Sequence, residues 1–95
     1  MYKLTKEAEK DIMSILQSSV SLFGKEQTEV YGESLSRCIE LLSINPGMGK
    51  NIDDIKVGYS KFPHGSHVIY FRTELDYILV VRILHKHMDA ERNIG

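Results

Sequence analysis

Apolar and polar positions follow two different rhythms along this chain, and the change between them falls near Val57. Before it, apolar residues recur at helical spacing. Ala8, Ile12, Ile15, Leu16 and Phe23 form one stripe, and Tyr31, Leu35, Cys38 and Leu42 form a second with Ile39 beside it. Thr5 is the expected N-cap of the first helix, with Glu7 and Glu9 in the first turn, where the helix dipole favours negative charge. Gly24 is the expected stop. A second helix is expected from about Lys25 to Ile44, ended by Asn45-Pro46-Gly47 because the residue before a proline is pushed out of the α region. Two long helices joined by one glycine make an antiparallel hairpin. Tyr2-Lys3-Leu4 reads as a short strand ahead of it.

From Val57 onward the period is two. Val57 to Phe62 reads as a strand, Pro63-His64-Gly65 as a turn, Ser66 to Arg72 as a second strand and Thr73 to Asp76 as a second turn. Tyr77 to His85 is apolar on both faces, so it is expected to be a central, covered strand. Met88 to Gly95 is a polar tail with a helical turn near Asp89. The expected class is α+β: a short N-terminal strand, then an antiparallel two-helix hairpin packed on one face of a curled antiparallel sheet, in the order β-α-α-β-β-β.

Composition narrows the function classes. At 95 residues with 42% hydrophobic and 26% charged positions, residues 1–95 read as one globular domain with a thin stability margin. One cysteine, Cys38, excludes an intrachain disulfide and a Cys-based metal cluster, and as part of a helical stripe it reads as an inert core thiol. No apolar run approaches the roughly 18 residues that span a bilayer. The first residues lack the apolar centre of a signal peptide, so no membrane association and a cytoplasmic location are expected. The net charge of −1 is unevenly spread: residues 1–55 carry six Lys/Arg against nine Asp/Glu, and residues 56–95 six against four together with all four histidines. A cationic working face at the C-terminal end is the expectation.

Candidate chemistry is limited. His85-Lys86-His87 places two imidazoles on one strand face, but with no third ligand at a suitable spacing it reads as a strand end in solvent, with no metal and no cofactor. Gly47-Met48-Gly49-Lys50 follows a helix instead of opening one, so it is no phosphate cradle. Glu7, Glu9 and Asp11 read as a solvated helix face. Arg82, flanked on its strand face by Val80 and Leu84, reads as an anchor at the sheet edge, and Tyr59 and Tyr70 as core residues with a hydroxyl at the rim. RNA cleavage by acid–base catalysis would need a base, an acid and a cation on the phosphorane, and Arg72, Arg82, His85 and His87 are the candidates of the right type, with Lys61, Tyr59 and Tyr70 in reserve.

The order Leu4-Thr5-x-x-Ala8-x-x-Asp11-Ile12, Gly24-Lys25-Glu26-Gln27 with Tyr31, then Asn45-Pro46-Gly47-Met48-Gly49-Lys50 resembles the RelE/ParE superfamily of bacterial toxins. The segment from Gly58 to Phe71 and the ending Arg82-Ile83-Leu84-His85-Lys86-x-Met88-Asp89 resemble its ParE branch in particular, over nearly the whole chain. The resemblance implies the fold already expected, and a function that the residue pattern alone does not reach. It implies a type II toxin that inhibits DNA gyrase and is neutralised by a ParD-like antitoxin, whose otherwise disordered segment wraps around it. Operator binding would then run through the antitoxin, with no direct DNA binding by this chain alone.

On that reading the target-binding surface is the basic rim of the sheet: Lys61, His64, Arg72, Arg82, His85, Lys86, His87 and Met88. Leu22, Ile39 and Leu41, off the main stripes, are expected to need the antitoxin's cover. The RelE branch implies the alternative, a ribosome-dependent mRNA endoribonuclease. That branch places an aromatic residue near the end of the last strand, whereas no aromatic follows position 77 here.

Overall fold

Thr5 joins strand to helix with three hydrogen bonds. Its Oγ1 accepts from the Ala8 amide at 3.1 Å and donates to the Val81 carbonyl at 2.8 Å, and its own amide donates to the Val80 carbonyl at 3.0 Å. One residue thus caps the first helix, worth about 1 kcal/mol, and fixes that helix against the last strand. In a computed structural model, which describes residues 1–94, the elements are β1 (Tyr2–Leu4), α1 (Lys6–Phe23), α2 (Lys25–Ile44), β2 (Lys50–Asn51), β3 (Tyr59–His64), β4 (His67–Thr73), β5 (Ile78–His85) and α3 (Ala90–Asn93). Gly95, the end of the expected tail, lies outside the described residues.

The fold class is the expected one, with a correction to the sheet. Strand order is β1-β5-β4-β3-β2, and β1 lies parallel to β5, Tyr2 opposite Ile78 and Leu4 opposite Val80. The sheet is therefore mixed and open. The two-residue strand β2 beside β3 carries no periodic signal of its own. The first β-turn also moves. Pro63 and His64 belong to β3, and the turn is Gly65-Ser66, with His64 opposite His67. Gly65 has φ +57, a left-handed conformation that a two-residue hairpin turn demands. Pro63, with no N–H to offer, lies where β3 runs past the end of β2, and such an edge tolerates proline.

Between β4 and β5 the register slips: Tyr70 faces Arg82 while Phe71 faces Val80, leaving Val81 as an extra residue. This bulge reverses the alternation of β5. Ile78, Val80 and Ile83 all enter the core beneath the helical hairpin, while Val81 and Leu84 reach the opposite face. Arg82 therefore cannot share one face with both Val80 and Leu84, as the simple alternation expected.

The hairpin core joins Ala8, Leu35, Cys38, Ile39 and Leu42 to Ile69 and Phe71 of β4 and the three β5 residues above. The other face of the sheet is covered as well. Ile52 and Ile94 pack with Tyr70 and Leu84, so the tail expected to be polar supplies an apolar anchor. Gly49 lets the chain cross the sheet closely, since a Cβ there would stand 2.5 Å from the Phe71 ring. Phe23, expected in the α1 stripe, is instead 67% exposed. Only Ala8 of α1 is fully buried, Ile12, Ile15 and Leu16 are half-buried, and the last turn stands clear of the core. No helix among the described residues is long and apolar enough to cross a membrane.

Candidate functional site

The β5 bulge leaves the Ile83 amide pointing out of the sheet beyond the end of β1, and Asp11 meets it. The Asp11 Oδ2 accepts from Ile83 N at 2.9 Å and from Arg82 Nε at 2.7 Å, and Oδ1 accepts from Arg82 Nη2 at 3.0 Å. The carboxylate substitutes for a neighbouring strand. Charge-assisted, two-pronged bonds of this kind are the strong ones, and the hydrogen bond to Asp11 raises the Arg82 pKa above its ordinary value, against the opposing effect of burial. Two expectations are corrected here. Asp11 belongs to no solvated face, and Arg82 offers no open cation, because its guanidinium is spent on Asp11 and the Asn93 carbonyl.

At the same end of the sheet the four histidines assemble. The register His64–His67–His85 puts three imidazoles across neighbouring strands, and His87 follows in the turn after β5. Ring centroids of His67 and His85 lie 5.7 Å apart and those of His85 and His87 5.1 Å apart. From α2, the Tyr31 hydroxyl sits 2.7 Å from His67 Nδ1 and 3.3 Å from the His64 carbonyl. Its single proton allows two arrangements: donation to Nδ1, or acceptance from Nδ1–H with donation to the carbonyl. Ser34 Oγ lies 3.1 Å from His64 Nε2, and the His87 amide donates to His85 Nδ1 at 3.3 Å. Burial, and then the nearness of His85 and His64, lowers the His67 pKa, so this ring is neutral at pH 7. Burial and the nearby Cys38 raise that of Tyr31, which stays a phenol. The pair is neutral, and the Tyr31 hydroxyl is not an activated nucleophile. Among the described residues no three His, Cys, Asp or Glu groups are placed to hold a metal ion.

A groove of about 850 Å³ runs between α1 and this end of the sheet. Ile15, Leu22 and Phe23 form one wall, and Tyr31, His67, Ile83, His85 and Met88 form the floor and the other wall. A smaller hollow of about 440 Å³ lies on the far side of α2, among Val30, Arg37, Leu41, Met48, Phe62 and His64.

The expected site residues are thus divided. His64, His85, Lys86, His87 and Met88 come together, and Lys61 lies midway along β3 opposite Tyr70. Arg72 pairs with Glu74 at the far end of β4, five residues from His67, or roughly 16 Å at strand rise. Of the residues expected to need cover, Leu22 lines the large groove and Leu41 the small hollow, 72% and 51% exposed. Ile39 is corrected: at 2% exposure it is already inside the core, because it packs towards the sheet beside the main α2 stripe.

The model of the family described as "ParE toxin of type II toxin-antitoxin system, parDE" matches residues 2–90. The chain belongs to this ParE toxin family. It is 32% identical to Toxin ParE1 of Caulobacter vibrioides over 94 residues, covering 99% of this chain and 97% of that one. It is 35% identical to Toxin ParE1 of Mycobacterium tuberculosis, covering 98% and 96%. In fold it is similar to a solved chain described as "Chromosomal ParDE TA system from P. aeruginosa", with a TM-score of 0.75, 20% identity, and coverage of 88% of this chain and 92% of that one. Within this ParE-family fold, Asp11, Tyr31 and His67 are the site-forming residues that the sequence patterns undervalue. His64 and His67 bracket a two-residue turn once that turn is placed at Gly65-Ser66, which is the signal that would have paired them.

Proposed function

We propose that this chain is the toxin of a type II toxin–antitoxin pair that holds DNA gyrase through a protein surface, without turnover, in the cytoplasm. A ParD-type antitoxin silences it by laying a segment into the groove beside the helical hairpin. The observation that carries the non-enzymatic part is the commitment of both sheet arginines to carboxylates, Arg82 to Asp11 and Arg72 to Glu74. Phosphodiester cleavage needs a cation beside the acid and base. Arg82 is taken and Arg72 lies at the wrong end of β4, so neither candidate arginine stands beside the histidines, and the cation at that end is Lys86.

The sheet end that gathers His64, His85, Lys86, His87 and Met88 is the surface offered to gyrase, with Lys61 flanking it and Arg82 supporting it from behind. Exposed charge there steers the encounter, and Met88 packs against the target. The antitoxin role rests on the 850 Å³ groove and its bare apolar rim of Leu22, Phe23 and Met88. Covering such a rim is what coupled folding and binding accomplishes. The deciding experiment adds purified toxin to gyrase and plasmid. Loss of supercoiling, or accumulation of cleaved DNA, is expected, and both should weaken when His85 and His87 are replaced by alanine. Codon-phased cuts in translated mRNA, with gyrase unaffected, would overturn the proposal.

A further inference from the structure

Imidazole is the side-chain type whose ordinary charge change falls near neutral pH, and the large groove holds two of them. Its titratable lining residues are Asp11, Tyr31, His67 and His85. Asp11 is neutralised by Arg82, and the Tyr31 phenol keeps its proton. That leaves two imidazoles, edge to face with centroids 5.7 Å apart, in a wall otherwise made of serines, Gln27 and apolar side chains. We propose that His67 and His85 act together as a charge switch: their neutral rings admit an apolar docking segment, and their protonated rings reject it. The inference rests on the reading that the groove receives the antitoxin.

The hydrogen bonds at this site do not block protonation. When His67 gains its second proton, Nδ1–H donates to the Tyr31 oxygen, and the Tyr31 hydroxyl turns to the His64 carbonyl 3.3 Å away. The fold keeps its contact, and what changes is charge. Around the pair, α2 offers Tyr31 with Cys38 behind it, β3 offers His64, β5 offers Arg82, the following turn offers His87, and α1 offers Asp11. No uncommitted carboxylate among the lining residues offsets the added charge.

The occupant follows from the rim. Leu22, Phe23 and Met88 present apolar surface, and the one carboxylate among the lining residues, Asp11, is already paired with Arg82, so the complementary segment is apolar there. Laying such a segment over His67 and His85 removes water from both rings and favours their neutral forms. Docking then releases protons, and affinity falls as pH falls, by up to about tenfold per pH unit for each imidazole kept neutral.

The test is calorimetric titration of the full chain between pH 7.5 and 5.5. The probe is a synthetic peptide of the C-terminal half of the cognate ParD-type antitoxin on which this reading rests. Circular dichroism at each pH verifies that the chain is folded. The dissociation constant is expected to rise at least about tenfold over this range, with proton release read from the dependence of the heat on buffer. The His67→Gln/His85→Gln double variant should lose most of this slope. His85→Gln alone, at an exposed position that the fold does not need, should lose part of it. A pH-independent constant, or tighter binding in acid with proton uptake, overturns the switch while leaving the docking intact. Failure of the peptide to bind at any pH overturns the docking reading and the switch with it.

Discussion

The Asp11 carboxylate grips the Arg82 guanidinium with two bonds, at 2.7 and 3.0 Å, across a separation of 71 residues in the chain. The same carboxylate takes the Ile83 amide, so one side chain of α1 closes the edge of β5 where β1 ends. A strand edge with open amides invites pairing with other chains, and here the toxin's own first helix occupies it.

Asp11→Asn should therefore cost more than a surface ion pair does. The side chains of the pair are only 15% and 24% exposed. Removing one partner leaves a guanidinium short of its countercharge in a poorly hydrated place, and a loss of about 2–3 kcal/mol is expected in urea unfolding. Arg82→Met should cost less, since it leaves Asp11 bonded to Ile83. A denaturation midpoint for Asp11→Asn equal to that of the parent would remove Asp11 from its structural role.

Gly49→Ala tests the close approach beneath the helical hairpin. The added methyl meets the Phe71 ring, which is fully buried and has nowhere to retreat. Overpacking of this kind costs about 1–3 kcal/mol, and a melting temperature lowered by several degrees is expected. Gly47→Ala is the control, because a Cβ there meets nothing within 4 Å.

Stability should depend on pH through His67. Its folded pKa lies below the ordinary value of 6.5 because burial and two neighbouring imidazoles oppose the charge. Between the folded and unfolded values the unfolded chain binds more protons, so stability rises with pH. The contribution is fully present above about pH 7 and is lost as pH falls through 6.5 towards the folded value. His67→Gln, which keeps a partner for Tyr31 and cannot titrate, should flatten the curve of unfolding free energy against pH over this window. An unchanged curve in that variant would assign the pH dependence elsewhere.

What the sequence made legible follows from what periodicity encodes. The helices from Thr5 to Gly24 and from Lys25 to Ile44, and the run ending at His85, announce themselves through caps, breakers and spacing, and the structure has them there. The β5 bulge does not announce itself, because one extra residue in an apolar strand leaves the composition unchanged while swapping every later side chain to the other face. Arg82 was therefore grouped on one face with both Val80 and Leu84, which the bulge sends to opposite faces, although its reading as an anchor at the sheet edge agrees with its pairing to Asp11. Asp11 looked solvated because nothing local shows a partner 71 positions away. The histidine row was hidden by a turn placed two residues early, at Pro63 instead of Gly65. The parallel pairing of β1 with β5 is likewise a long-range choice, invisible to any window of a few residues.

The three leucine and isoleucine positions assigned to the antitoxin now separate into different experiments. Leu22 stands 72% exposed on the wall of the large groove, so Leu22→Ser should leave the melting temperature within a degree or two of the parent. If the groove is where the antitoxin segment lies, the same change should weaken its binding by roughly ten- to a hundredfold, the ordinary worth of one apolar anchor at an interface. Leu41, in the hollow on the other side of α2, is the comparison: Leu41→Ser weakens binding only if the segment wraps past the hairpin to reach it. Ile39→Ala opens a cavity in the core instead and should cost about 2–5 kcal/mol of stability whether or not the antitoxin is present. Calorimetry of the two serine variants, read beside their unfolding curves, thus maps the docked segment. Full affinity in Leu22→Ser would move the antitoxin out of the large groove altogether.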